Sequence, residues 1–240
     1  MSQPSQRSLA LRSWMVLLPA MVLPFAASLF YFVWFSDHLF SRILYGMTKL
    51  FTLVWPVCVV ELTLGECRPR FKWRDPVHAR ALPWGVVWGV LMVGAMFGVM
   101  QTPVGEVVRA GTDDIRGKVE SLGVLDHYWV FGMFIALLHS LLEEYYWRWF
   151  VFGRLARLVP MGWAHGLGGL AFALHHIVIT TQYFSLGWGL LFGSLVGVGG
   201  VIWSLLYTRQ RTLAGAWVSH IIVDLGILSL GHKLLFGTYY

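Results

Sequence analysis

The sequence predicts an all-α protein, a polytopic transmembrane helical bundle of about seven spans, within a range of six to eight. Three observations predict it. The chain of 240 residues is 57% hydrophobic and only 12% charged, about half the charge of a typical soluble domain. Apolar runs of the roughly 20 residues that a membrane helix needs recur along the chain. Basic residues gather in the short connectors between those runs, as they do in cytoplasmic loops.

The first span is expected at 13–35. Arg7 and Arg12 ahead of it and Ala26-Ala27-Ser28 within it imitate a signal peptide. The apolar run continues through Leu29-Phe30-Tyr31-Phe32, too long for a signal core, so an uncleaved span is expected. The second lies near 43–62, with Lys49 inside it and Pro56 as a kink. The third is 82–100. The fourth starts near Tyr128 and runs past Glu143. The fifth is 163–180, the sixth 186–207 and the seventh 213–230. Gly193 and Gly197 in the sixth form a small-xxx-small pair that allows close helix approach. Cys58 and Cys67 are expected as free thiols, since two cysteines without CxxC spacing make no disulfide framework or redox motif.

The net charge of +6 is not a nucleic-acid footprint, because the bases form no single stripe. Arg68, Arg70, Lys72, Arg74 and Arg80 occupy one connector. Arg148, Arg154 and Arg157 occupy a second, and Arg209 and Arg211 a third. Seven alternating spans put all three on one side. The 102–125 connector on the other side carries Glu106, Asp113, Asp114 and Glu120 against Arg109, Arg116 and Lys118. The positive-inside rule then predicts a multi-pass protein of the cell membrane with a cytoplasmic N-terminus. The whole chain reads as a single membrane domain: motif-free spans over 1–125, motif-bearing helices over 126–230.

An ionisable side chain inside a span costs several kcal/mol and marks a functional site by default. Three clusters qualify. In Glu143-Glu144-Tyr145-Tyr146-Trp147-Arg148, Glu144 and Arg148 are i, i+4 neighbours that can pair. Glu143 lies about 100° away, free for another partner, and His139 shares its face. A plain salt-bridged helix end accounts for the pair equally well. His175 and His176 are adjacent, so at most one need face a site, and a histidine bonded to a backbone carbonyl is the plainer alternative. His220 and Asp224 share one helical face. His38, His78, His127, His165 and His232 are expected at span ends or connectors, within reach of water.

A carboxylate and an imidazole converging on one water form a general base. A second polar pair can hold the oxyanion of a tetrahedral intermediate. The set Glu143, His176, His220 and Asp224 can also hold a divalent metal, zinc by ligand type. The zincin HExxH and the GxSxG elbow are absent from the spans.

The three clusters in this order resemble the motifs of the CAAX protease and bacteriocin-processing family (the CPBP or Abi group): EExxxR, then FxxxH, then HxxxN or HxxxD. Here they read Glu143-Glu144 with Arg148, Phe172 with His176, and His220 with Asp224. The resemblance covers roughly 126–230. It implies a glutamic-type intramembrane endopeptidase acting on a membrane-associated peptide or protein near a membrane-anchoring or C-terminal segment. By the same resemblance, Glu143 and His176 activate water, His220 and Asp224 stabilise the oxyanion, and Glu144 with Arg148 gives structural support. No resident cofactor is implied by this mechanism; zinc belongs to the older metalloprotease reading of the family. An ionised Asp224 cannot donate to an oxyanion, so it must carry a proton or act by orienting His220. Two other functions compete: a non-enzymatic membrane immunity or scaffold protein, and a proton-coupled transporter. The transporter would more often show an inverted repeat, and none is visible. By these boundaries Glu143 and His176 sit at different depths, so they meet only if the fourth helix runs long or the fifth starts later.

Overall fold

A computed structural model describes residues 6–35, 39–60 and 75–237. His38, Cys67 and the basic residues Arg68, Arg70, Lys72 and Arg74 lie outside the described residues. The described chain is helical and contains no strand. Helix α1 spans Gln6–Ser28 and continues as a wide π-helical stretch, Leu29–Trp34. Helix α2 is Leu39–Cys58, with Pro56 two residues from its end. Helix α3 is Pro76–Val99. Its start is set by Asp75, whose carboxylate accepts from the Val77 amide at 3.0 Å, and by Pro76 in the first turn, where no amide donor is needed.

The 102–125 connector is not a plain loop. It forms two short helices, α4 (Pro103–Ala110) and α5 (Thr112–Ser121). The Thr102 hydroxyl caps α4 on the Val104 amide at 3.3 Å.

The fourth segment is one continuous helical run, α6, over Leu125–Leu158. It alternates in type, with π-helical turns at Ile135–His139 and Glu144–Phe152 on either side of the short α-helical stretch Ser140–Glu143. At 34 residues it is about 50 Å long at 1.5 Å per residue, well beyond the roughly 30 Å hydrocarbon core. Glu143 therefore sits near its middle rather than at an end, and the conflict in depth between Glu143 and His176 disappears. Helix α7 is Met161–Thr180, α8 is Leu186–Gln210 and α9 is Ala214–Phe236. The turn from α8 into α9 passes through Arg211 at φ 56°, and the Arg211 amide donates to Tyr207 O at 2.8 Å.

Five of these helices are long and apolar enough to cross a membrane: those ending at Trp34, Val99, Leu158, Gln210 and Phe236. Helices α2 and α7, at 20 residues each, reach about 30 Å but carry more polar side chains. Together they give the multi-pass bundle. The exposed side of α3 is Trp84, Val87, Val90 and Leu91, an apolar outer face suited to lipid as solvent.

The centre is built around α6. Tyr146, Phe150 and Val151 pack on Leu17 and Ala20 of α1, and Trp147 packs on Phe172 of α7. Polar ties span the helices. The Tyr146 hydroxyl donates to Ala20 O at 2.7 Å, and the Trp55 indole donates to Val16 O at 3.2 Å. His165, expected near water, is instead buried. It is hydrogen-bonded to Ser204 at 2.7 Å and stacked on Phe152. A buried hydroxyl in α8 satisfies one ring nitrogen, so no water is required there.

Helices α7 and α8 pack closely through glycine. A Cβ on Gly197 would lie 2.7 Å from Ala173 Cβ and 3.0 Å from Gly169 O. Gly197→Val is therefore expected to cost about 1–3 kcal/mol by overpacking, read as a lowered melting temperature. Gly94→Val, where a Cβ meets nothing within 4 Å, is expected to leave that temperature unchanged.

Candidate active site

The site lies where α6, α7 and α9 meet in the bundle, with α2 approaching from one side. Glu143 is 8% exposed and Glu144 is fully buried. Consecutive on α6, they diverge. Glu144 Oε2 meets Arg148 Nε at 3.3 Å, and Glu144 Oε1 accepts from His220 Nδ1 at 2.8 Å. Glu143 turns to a different set of groups. Its Oε1 faces His139 Nε2 at 3.2 Å and His175 Nε2 at 3.8 Å; its Oε2 faces His220 Nε2 at 3.7 Å.

Arg148 is 1% exposed. Its guanidinium lies 4.4 Å from the centre of the Phe172 ring and 5.0 Å from that of Trp203, a cation–π cradle. Gly200 leaves it room: a Cβ there would stand 3.2 Å from Arg148 Nη2. Trp203 also stacks on His220, with ring centres 3.9 Å apart. Arg148 and His220 thus share one aromatic support, the Trp203 ring.

His220 and Asp224 are i, i+4 partners, yet Asp224 is not what holds the ring. Asp224 Oδ1 stands 3.7 Å from His220 Nε2, while Glu144 takes Nδ1 at 2.8 Å. A carboxylate only accepts, so Nδ1 carries the proton. His220 Nε2 is left facing two carboxylate oxygens, each across 3.7 Å, a polar gap beyond direct hydrogen bonding that suits a small oxygen species.

His176 is held differently. Its Nδ1 stands 2.9 Å from Phe172 O. A carbonyl only accepts, so Nδ1 donates and Nε2 of the neutral ring keeps its lone pair. The FxxxH spacing is therefore a one-turn backbone bond that sets the tautomer. His175, to which the sequence assigns no role, approaches Glu143 and stacks on Trp147, with ring planes 5° apart. Its Nδ1 is buried without a hydrogen-bond partner. His139 was already visible as an i−4 neighbour of Glu143. Lys49, visible only as an interruption of the second span, reaches His139 Nδ1 at 3.4 Å; no spacing rule links residues 90 positions apart.

One ligand atom from each of Glu143, His175 and His176 falls within 4.8 Å of the others. Two imidazoles and a carboxylate are a donor set that zinc accepts, though with His175 in place of the His220 and Asp224 expected from sequence. The same spread suits one water between two acceptors, since two hydrogen bonds of about 2.8 Å separate their ends by roughly 4.5–5 Å. A cleft of about 650 Å³ opens elsewhere, lined by Trp149, Arg154, Arg157, Tyr207 and Arg211. The carboxylate–imidazole cluster is not part of its lining.

Comparisons with curated proteins and with solved structures give no match. Residues 125–226 match the family model described as type II CAAX prenyl endopeptidase Rce1-like. The matched stretch runs from the start of α6 through Asp224 and holds all three motifs. Over residues 125–226, this multi-pass membrane protein is similar to the Rce1-like CAAX protease family.

Proposed function

We propose that the protein is a glutamic-type intramembrane endopeptidase that hydrolyses a peptide bond near a membrane-anchoring or C-terminal segment of a membrane-associated substrate. The observation that carries this reading is the buried Glu143 carboxylate. His139 and His175 face one of its oxygens, while the other opens onto His220 across 3.7 Å. Oε1 is engaged and Oε2 is the oxygen available to a reacting water.

Glu143 Oε2 and His176 Nε2 are both acceptors. A water donating one hydrogen to each presents an oxygen lone pair to the substrate carbonyl. As that oxygen attacks the carbonyl carbon, its proton passes to Glu143 Oε2. The carbonyl electrons move onto the carbonyl oxygen. His220 holds that oxyanion when its Nε2 is protonated as well as Nδ1, as an imidazolium between Glu144 and Asp224. Asp224 then serves either as a protonated donor or as the carboxylate that keeps His220 charged. Collapse of the intermediate breaks the C–N bond, and Glu143 returns its proton to the leaving amine.

A metal-assisted reading rests on the grouping of Glu143, His175 and His176. A zinc ion there would polarise the carbonyl as a Lewis acid. Direct water activation is preferred because two cations already stand beside the cluster, Lys49 against His139 and Arg148 against Glu144, and a dication would add to that positive charge at short range. The orientation follows the basic residues: Arg154, Arg157 and Arg211 line one cleft, which the positive-inside rule assigns to the cytoplasm together with the N-terminus.

The test is hydrolysis of a lipid-anchored peptide by the protein in proteoliposomes. Cleavage is expected to persist at the untreated rate after prolonged EDTA or phenanthroline and to fall about a hundredfold or more in His176→Ala. Loss of cleavage on chelation, with recovery on adding zinc, would transfer the reading to the metal. Proton flux without cleavage would transfer it to a transporter, and neither flux nor cleavage to an immunity or scaffold role.

A further inference from the structure

A lysine inside a membrane bundle is costly, by about 3 kcal/mol at a span centre. Lys49 is half-buried on α2, in the part of the chain that carries none of the three motifs. Its hydrogen-bond partner is an imidazole rather than a carboxylate: Nζ stands 3.4 Å from His139 Nδ1. The Tyr45 ring, 5.2 Å from the ammonium, lies on the same helix. The other end of that imidazole, Nε2, stands 3.2 Å from Glu143 Oε1. The three side chains therefore form a line from α2 to the centre of α6.

The order of groups in that line fixes its protons. An ammonium only donates, so His139 Nδ1 must accept. The single ring proton of neutral His139 then sits on Nε2, directed at Glu143 Oε1. In the other tautomer Nε2 would oppose Glu143 with a lone pair, repelling the oxygen it now anchors. We propose that Lys49 is a positioning residue for the reaction. It sets the tautomer of His139, which anchors Oε1 of Glu143 and so keeps Oε2 turned toward the water. The half of the chain outside the motifs thus completes the active site. This rests on the reading of Glu143 as the general base.

The test measures kcat and KM on the lipid-anchored peptide in proteoliposomes. Lys49→Met keeps the length of the side chain and suits the membrane, so the bundle is expected to form as before. It is expected to lower kcat about tenfold with KM within about twofold, because no substrate contact is removed. Lys49→Arg retains a cationic donor and is expected to restore most of that loss. His139→Gln supplies an amide N–H in place of Nε2–H and needs no relay. On that background Lys49→Met is expected to change nothing further.

Equal losses from Lys49→Met on both backgrounds would overturn the proposal, and so would a rise in KM at constant kcat or full activity of Lys49→Met. Failure of the underlying reading would look different: Glu143→Gln would keep its activity whatever Lys49 does.

Discussion

Glu143→Gln is expected to reduce cleavage about a thousandfold or more while the protein folds as before. The substitution keeps the shape of the side chain. The Gln carbonyl can still accept from His139 Nε2, which stands 3.2 Å from Glu143 Oε1, so the local packing has no reason to change. What changes is the other terminus. Where Oε2 accepts, the amide nitrogen donates, and it has no basic lone pair to take a proton. A water between it and His176 would be turned round, with an oxygen lone pair spent on the amide. Measurement requires the rate in proteoliposomes together with the melting temperature of the same preparation. A variant that cleaves at the wild-type rate would remove Glu143 from the chemistry. A variant that loses both cleavage and several degrees of melting temperature would make the residue structural. Glu144→Gln is the natural comparison, because the two carboxylates are neighbours in sequence and face different partners: Glu144 meets Arg148 and His220, Glu143 meets His139 and His175.

Much of this arrangement can be read from sequence, because lipid makes each polar intrusion conspicuous. A carboxylate pair after an apolar run needs an explanation, and i, i+4 spacing supplies local partners without any structure. Glu144 with Arg148, His139 with Glu143, and His220 with Asp224 all follow from that rule. The span positions follow from hydropathy, although the same polar residues that mark the site break the apolar pattern of α6 and hide its 34-residue length.

The rest depends on contacts between helices and on helix type. Adjacent histidines lie about 100° apart in an α-helix, and nothing in the spacing says that both His175 and His176 border the same carboxylate. The π-helical turns at Ile135–His139 and Glu144–Phe152 shift the angular phase on which face assignments depend, and such turns often accompany functional sites. His220 shows the limit of local pairing. Its i, i+4 partner Asp224 stands at 3.7 Å, whereas Glu144, 76 residues away, holds Nδ1 at 2.8 Å. Lys49 belongs to the same class of long-range contact. By contrast, the helices within 102–125 carry local signals: Thr102-Pro103 is a cap followed by a first-turn proline, and Asp113 and Asp114 occupy the first turn of α5.

Arg148→Met is expected to destabilise the protein by about 3–5 kcal/mol. The guanidinium is 1% exposed and its carboxylate partner is fully buried. Removing the cation leaves Glu144 charged in the bundle with only His220 Nδ1 to satisfy it, and a buried, half-compensated charge costs more than the ion pair contributed. The cation–π contacts with Phe172 and Trp203 are lost as well, although Met fills part of the volume between those rings. The measurement is thermal unfolding in one detergent. At about 2–4 °C per kcal/mol for a chain of this size, the drop should be on the order of 10 °C. The double variant Glu144→Gln with Arg148→Met removes both charges and is expected to recover most of the loss, since replacing a whole buried pair by neutral groups is often close to neutral. If instead the two changes add, each side chain contributes through separate contacts and the pair is not the brace. Gln at 144 can still accept from His220 Nδ1, so the double variant also separates two duties of Glu144: compensating Arg148 and holding the His220 ring by its Nδ1. Recovery of stability together with cleavage would assign the arginine wholly to the fold. Recovery of stability alone would mean that the charge on Glu144, and not merely its hydrogen bond, keeps His220 in the state the reaction needs.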